Sequence, residues 1–386
     1  MRKKIECIDQ EKYKFLLLLK IYNIDKLKIE SRFKIIQNIK KSLRMYNENE
    51  VKYLNVLNND ILIFISSEEI LNKFLLTTLS EMKRENMLIS SGEIKYLVAV
   101  SEIIKSIEIS INELEITMQA IEKENHIKNQ ALIKFFNTSD KFIQHEMEDR
   151  LWYGKTIEII NNQAIIPYYQ AIKDIKTGKI LKYEVLARAI YDNKIIPPYF
   201  FISKAEELGM LYKITEIILD KSFKFFSTNN YEFNINISAN DLLRKDFICT
   251  LKNYLDKYNL DPKRVTFEVL ENITNMHENS IIETLHKIKD IGCKIAIDDF
   301  GSENSNFSRL ININCDFIKI DAIFIKDILN NPKNIEIVSS IVNMSKALKI
   351  KTVAEFVENK DIYDLIKKCG VDYAQGYYID KPKELI

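Results

Sequence analysis

Ile295-Ala296-Ile297-Asp298-Asp299-Phe300-Gly301 is a short apolar run that ends in two adjacent carboxylates and a glycine. An unbroken apolar run rich in β-branched residues predicts a buried strand, so this one carries paired acids at its C-terminal end. Similar runs recur through the second half of the chain. Ile180-Leu181-Lys182-Tyr183-Glu184, Phe233-Asn234-Ile235-Asn236-Ile237-Ser238, Val265-Thr266-Phe267-Glu268-Val269-Leu270-Glu271, Phe317-Ile318-Lys319-Ile320-Asp321, Thr352-Val353-Ala354-Glu355 and Tyr373-Ala374-Gln375-Gly376 each end in polar residues. Between them lie helical patterns, as over 280–290 and 334–348, with apolar residues three and four apart. Strand and helix alternating over roughly 235 residues predict an α/β protein whose C-terminal part is a (β/α)8 barrel. Polar residues at strand C-termini then share one mouth, which gathers Glu184, Asn236, Glu268, Asp298, Asp299, Lys319, Glu355 and Gln375.

A single acid at a strand end is more often a helix cap or a solvated loop residue. Carboxylates crowded into one mouth on successive strands repel each other and call for bound cations. The set offers oxygen donors, a carboxamide and a lysine, whereas the histidines (His126, His145, His277, His286) and cysteines (Cys7, Cys249, Cys293, Cys315, Cys369) show no ligand spacing. Hard oxygen ligands suit Mg2+ or Mn2+ better than zinc. An acid pair able to bridge two such ions, with a lysine nearby to balance charge, fits two-metal cleavage of a phosphate ester.

Tyr183-Glu184-Val185-Leu186-Ala187-Arg188, Asn236-Ile237-Ser238, Glu268-Val269-Leu270-Glu271, Asp298-Asp299-Phe300-Gly301, Ile318-Lys319-Ile320-Asp321, Ala354-Glu355-Phe356-Val357-Glu358 and Gln375-Gly376-Tyr377-Tyr378 stand in the order and spacing of a known motif set. Over residues 151–386 the chain resembles the EAL-domain cyclic di-GMP phosphodiesterases. The resemblance implies a TIM-like barrel that hydrolyses cyclic di-GMP to linear pGpG with two Mg2+ or Mn2+ ions per EAL domain. It implies that Glu184, Asn236, Glu268 and Asp298 hold one ion and Asp298 with Asp299 the second. It also implies that Lys319 stabilises the site and the attacking water, with Glu355 as general base. Gln170, Arg188, Gln375 and Glu358 would be substrate contacts, a guanidinium fork being well shaped for a phosphate. Glu271 would stabilise the loop after the acid pair, and the barrel would form a homodimer.

Three departures from the motif set stand out. Val185 replaces the signature alanine, but strand alternation turns it away from the acids, so little effect is expected. The loop Gly301-Ser302-Glu303-Asn304-Ser305-Asn306-Phe307 lacks the usual small and aromatic residues. Phe356 stands where glycine is usual. A non-catalytic barrel that binds cyclic di-GMP or a partner protein is therefore the alternative to an active enzyme, although none of the proposed metal ligands is missing.

The first half differs. Phe15 to Tyr22 is an apolar run, residues 28–43 form an amphipathic stretch, and Tyr53 to Ile65 reads as a hairpin about Asn58-Asn59. A helix pattern over 69–83 and a strand pattern at Tyr96-Leu97-Val98-Ala99-Val100 follow. This order is similar to that of a GGDEF domain, over residues 1–125, with its chemistry lost. Asn58-Asn59-Asp60-Ile61-Leu62 lacks the glycines that let a backbone approach a phosphate, and Lys20 and Tyr22 stand where metal-binding aspartates are usual. Asn49 and Lys52 stand where an inhibitory Arg-x-x-Asp motif is usual. No cyclase activity is expected. Residues 104–150 read as almost continuously helical, with 126–150 as a helical linker before the barrel domain at 151–386.

Composition agrees with two domains, since 386 residues with 46% apolar content fill more than one common core. A net charge of +1 argues against binding nucleic acid polymers or anionic membranes through bulk electrostatics. Five cysteines without framework spacing suggest a reducing compartment, hence the cytoplasm. Phe15 to Leu19 is too short to span a bilayer, and the charged residues before it make a poor signal peptide.

Overall fold

The computed structural model describes residues 11–22, 24–55, 60–82, 84, 95–128, 133–274, 278–301 and 312–384. The chain divides into two compact units, Met1–Leu151 and Trp152–Ile386. In the first, strands β1 (Phe15–Tyr22), β2 (Val51–Asn55), β3 (Ile61–Ile65), β4 (Lys95–Glu102) and β5 (Ile133–Phe135) form one sheet in the order β2-β3-β1-β4-β5. The alternation of the strands sorts their side chains onto two faces. Leu17, Leu19, Ile63, Ile65 and Val98 pack with Ile35, Ile39, Leu71 and Phe74. Leu16, Leu62, Phe64, Leu97 and Ala99 pack on the opposite side against Leu114, Met118 and Ile121 of the helix Ile107–Lys128.

Antiparallel β2 and β3 pair with Val51 opposite Ile65 and Asn55 opposite Ile61, the register of the expected hairpin. Its turn, Asn58-Asn59, lies outside the described residues. The continuous helix expected over 104–150, and with it the 126–150 helical linker, is corrected. β5 falls within it and pairs in parallel with β4, and the next helix, Lys141–Asn161, begins after it.

The second unit holds strands β6 (Ile165–Asp174), β7 (Ile180–Tyr191), β8 (Lys194–Ile196), β9 (Glu232–Asn236), β10 (Val265–Leu270), β11 (Lys294–Phe300), β12 (Phe317–Ile320), β13 (Lys351–Ala354) and β14 (Tyr373–Ala374). Eight of these close a barrel in the order β6-β14-β13-β12-β11-β10-β9-β7, with β6 also pairing β7, while β8 extends β7 as a hairpin. The barrel is not the uniform parallel one that strand–helix alternation predicts. β6 runs antiparallel to both of its neighbours, because only Ile175 to Lys179 separate it from β7, too few residues for a parallel crossover. The other seven run parallel and deliver their C-terminal ends to one mouth. Outside the barrel, Val185, Ile235, Phe267, Ile295 and Ile318 pack in the main core with Phe223, Leu251, Leu285 and Val338 of the covering helices. Val185 thus faces away from the mouth, as alternation requires.

Inside the barrel, Ile172, Ala296, Phe317 and Val353 form a buried apolar plug with Tyr373 packed against it. Lys182 joins this layer, being two residues before Glu184 on β7 and therefore on the same inward face. It is buried, its ammonium 3.5 Å from the Phe317 ring centroid and 3.6 Å from Glu232 Oε2. Burial pushes its pKa down to about 8 from 10.5, against the opposing pull of Glu232, so holding its proton costs about 3 kcal/mol at neutral pH. Since the folded pKa lies below the unfolded one, this cost is full below pH 8 and fades as pH rises from 8 to 10.5. Lys182→Met should therefore raise the urea midpoint at pH 7, and its advantage over the wild type should shrink across that interval. Glu232 keeps a partner in Lys294 at 2.8 Å. An unchanged or lower midpoint at pH 7 would contradict this account.

Candidate active site

Above the plug, one buried ammonium sits among four carboxylates. Lys319 Nζ, at the upper end of β12, lies 2.8 Å from Glu268 Oε2, 2.8 Å from Glu355 Oε1, 3.0 Å from Asp298 Oδ1 and 3.3 Å from Glu184 Oε2. The four acids arrive from β7, β10, β11 and the residue that follows β13. Amide side chains order them. Asn236 Nδ2 donates to Glu184 Oε1 at 3.0 Å, and Gln375 Nε2 donates to Glu184 Oε2 at 2.6 Å and to Gln170 Oε1 at 3.0 Å. Asn234 Nδ2 donates to Glu268 Oε1 at 2.6 Å.

Asp298 and Asp299 are adjacent, and an ideal strand would send them to opposite faces. The pairing of β11 with β12 shifts register between Ile297 and Phe300, and Asp299 adopts φ 51°. This bulge re-aims Asp299, so that oxygens of Asp298, Asp299 and Glu355 lie within 4.8 Å of one another. Just beyond it, Gly301 N donates to Glu271 Oε2 at 3.0 Å, so Glu271 grips the start of the following loop. Residues 302–307 of that loop, singled out above for their unusual composition, lie outside the described residues.

Electrostatics follow from this crowding. Burial alone would lower the Lys319 pKa, but the surrounding acids hold it well above its ordinary value. Burial would likewise raise Glu184, yet Lys319, Gln375 and Asn236 outweigh it and keep this carboxyl below its usual range. Glu268 goes the other way, pushed well up by burial and the Glu184 charge despite Lys319. Of this coupled pair we assign the charge to Glu184, which receives three side-chain donors against two for Glu268. Burial, together with Asp298 and Glu184 and against Lys319, lifts Glu355 to about 7. Burial and Asp298 also raise Asp299.

Even with Glu268 neutral, one ammonium cannot balance Glu184, Asp298, Asp299 and Glu355. The donor set is hard, acidic and convergent, and divalent cations with oxygen preference fit it. Asn236 spends an N–H on Glu184, which leaves its carbonyl oxygen as a further ligand atom.

Beside these acids opens a cavity of about 290 Å3 lined by Gln170, Glu184, Leu186, Glu355, Phe356, Glu358, Gln375, Gly376, Tyr377 and Pro382. A larger depression of about 720 Å3 lies away from the acids, between the helices Phe247–Tyr258 and Glu278–Ile291, where Lys252, Asp256, Lys287 and Asp290 are spread over its walls. Arg188 stands apart from the acid cluster, its guanidinium 5.5 Å from the Tyr168 ring centroid and donating to Ala187 O at 2.8 Å. Glu358 is exposed at the cavity wall. Gly376 is required by close approach, because a Cβ there would collide with the backbone of Val357. Phe356 sits at φ 52°, which is why glycine is natural at this position, and holding an aromatic residue there costs about 1 kcal/mol.

Asn234 was not singled out by sequence reasoning. The alternation in Phe233-Asn234-Ile235-Asn236 puts it on the same face as Asn236 and was the available signal. Tyr377 and Leu186 of the cavity wall carried no chemical signature.

The fold and site define an α/β protein whose eight-stranded barrel gathers acids, an amide and a lysine at one mouth. A family profile for the EAL domain matches residues 156–382, and the chain belongs to this family. The cyclic di-GMP phosphodiesterase PdeF of Escherichia coli K12 is 35% identical over 254 residues, covering 64% of this chain and 34% of that protein. The cyclic di-GMP phosphodiesterase PdeB of Shewanella oneidensis MR-1 is 29% identical over 260 residues, covering 66% and 30%. This chain thus spans about a third of the length of these curated relatives. A solved structure of PaMucR phosphodiesterase in complex with c-di-GMP has the same fold, with a TM-score of 0.58 and 24% identity over 60% of this chain and 97% of that one.

Proposed function

We propose that this chain hydrolyses cyclic di-GMP to linear pGpG with two Mg2+ or Mn2+ ions, as a phosphodiesterase of bacterial signalling. The observation that carries the proposal is the convergence of Glu184, Glu268, Asp298 and Glu355 on Lys319 beside a cavity, in a chain whose relatives are named for this activity. Glu184, Asn236, Glu268 and Asp298 would hold one ion, and Asp298 with Asp299 the other. Bound there, the ions supply an activated water and charge neutralisation at the reacting phosphate.

Glu355 accepts the proton of the attacking water, for which a carboxyl raised to about 7 is well matched at neutral pH. Lys319 holds the acids in register and contributes positive charge toward the phosphate. Gln375 fixes Glu184 and, with its partner Gln170, lines the cavity, while Glu358 at the cavity wall and Arg188 outside it would contact the substrate. Glu271 holds the loop after β11 in place.

The first unit is read as a GGDEF-like module without cyclase activity. In support, Lys20, at the position expected of a metal-binding acid, forms an ion pair with Glu122. In this reading the chain acts in the cytoplasm as a homodimer through the barrel unit. No helix among the described residues is long and apolar enough to cross a membrane.

Asp298→Asn tests the proposal, because Asp298 serves both ion positions. It should lower Mn2+ affinity, read by calorimetric titration, and abolish metal-dependent turnover of cyclic di-GMP. A variant that hydrolyses at the wild-type rate would refute the two-ion reading.

A further inference from the structure

Phe356 is spent on neither the core nor the turn. The turn needs only a left-handed residue, which glycine supplies more easily, and the neighbouring Val357, fully buried, fills the core instead. The Phe356 side chain is left 46% exposed at the wall of the acid-lined cavity, next in sequence to Glu355. Its ring is nevertheless anchored, because Lys326 Nζ, beyond β12, lies 3.9 Å from the ring centroid. Tyr377, 61% exposed, is a second aromatic on the same cavity wall.

We infer that Phe356 is a substrate-positioning residue whose ring, held by Lys326, gives a purine of the bound dinucleotide a stacking surface beside Glu355. The inference rests on the phosphodiesterase reading and adds a specific contact to it. A strained aromatic kept half-exposed at a cavity rim is the kind of outlier from which function is inferred. Stacking of a base on an aromatic side chain supplies affinity without demanding a particular base. The ammonium of Lys326 orients the ring by attraction to its π face.

The test is calorimetric titration of cyclic di-GMP into chelator-treated wild type, Phe356→Gly and Phe356→Trp, with thermal melting as a folding control. Phe356→Gly should melt no lower than the wild type, because it relieves the left-handed backbone, yet bind at least about fivefold more weakly. Phe356→Trp keeps a stacking face and should bind within about twofold of the wild type or more tightly. Affinity of Phe356→Gly equal to that of the wild type overturns the inference, as does an equal loss in both variants. Absence of binding by the wild type would instead overturn the phosphodiesterase reading and this inference with it.

Discussion

Glu355→Gln is expected to lower kcat by about 10²- to 10⁴-fold while leaving the affinity for cyclic di-GMP near that of the wild type. The substitution keeps size and shape and removes the ability to take a proton, together with the charge that faces Lys319. In the wild type, Glu355 Oε1 is 2.8 Å from Lys319, and burial with neighbouring acids raises the carboxyl to about 7, so near neutrality a large share is ionised and able to act as base. The amide cannot do this at any pH. Single-turnover assays with matched equilibrium titrations separate the two quantities. A variant with unchanged turnover would remove Glu355 from the mechanism, and one that lost binding in proportion would make it a binding residue.

Lys319→Met should destabilise the chelator-treated protein by about 3–5 kcal/mol, because the buried carboxyl groups around it, charged Glu184 among them, would then face an apolar chain in place of the ammonium. Lys319 is 1% exposed and within 3.3 Å of each acid, so no solvent can take its place without rearrangement. For a unit of this size the melting temperature should fall by about 6–20 °C. Added Mn2+ should recover part of the loss, since a cation bound only by the folded state stabilises it by mass action. Catalysis should not recover, because no bound ion restores the ammonium. A variant as stable as the wild type in chelator would show that the acids are protonated or solvated and that the charge argument is wrong.

The barrel unit was largely legible because its strands are short apolar runs and each ends in a polar residue. The inward-facing members of the acid set could be read from period-two alternation alone. What alternation could not show is the bulge at Asp299. Two adjacent acids belong to opposite faces until a left-handed residue turns the second one, and Asp tolerates that conformation without glycine. The antiparallel β6 was missed for a related reason. Tyr168-Tyr169-Gln170-Ala171-Ile172 carries no signal of direction, which comes only from the short connection to β7.

In the first unit the helical reading of 104–150 failed at Ile133-Lys134-Phe135. Three residues are too few to show a period, and β5 exposes Ile133 and Phe135, at 40% and 50%, so no buried alternation marks it as a strand. Lys182 shows the limit of residue-type reasoning. A lysine two residues before a site acid looks like a solvated strand residue, and only closure of the barrel places it over Phe317 in the apolar layer.

The most direct measurement is chromatographic separation of products after incubating the full chain with cyclic di-GMP in the presence of Mg2+, of Mn2+ and of a chelator. The account predicts pGpG in both metal conditions and intact cyclic di-GMP in chelator. Intact dinucleotide in all three, despite its binding to the protein, would contradict the enzyme and leave a receptor that keeps the acids without using them.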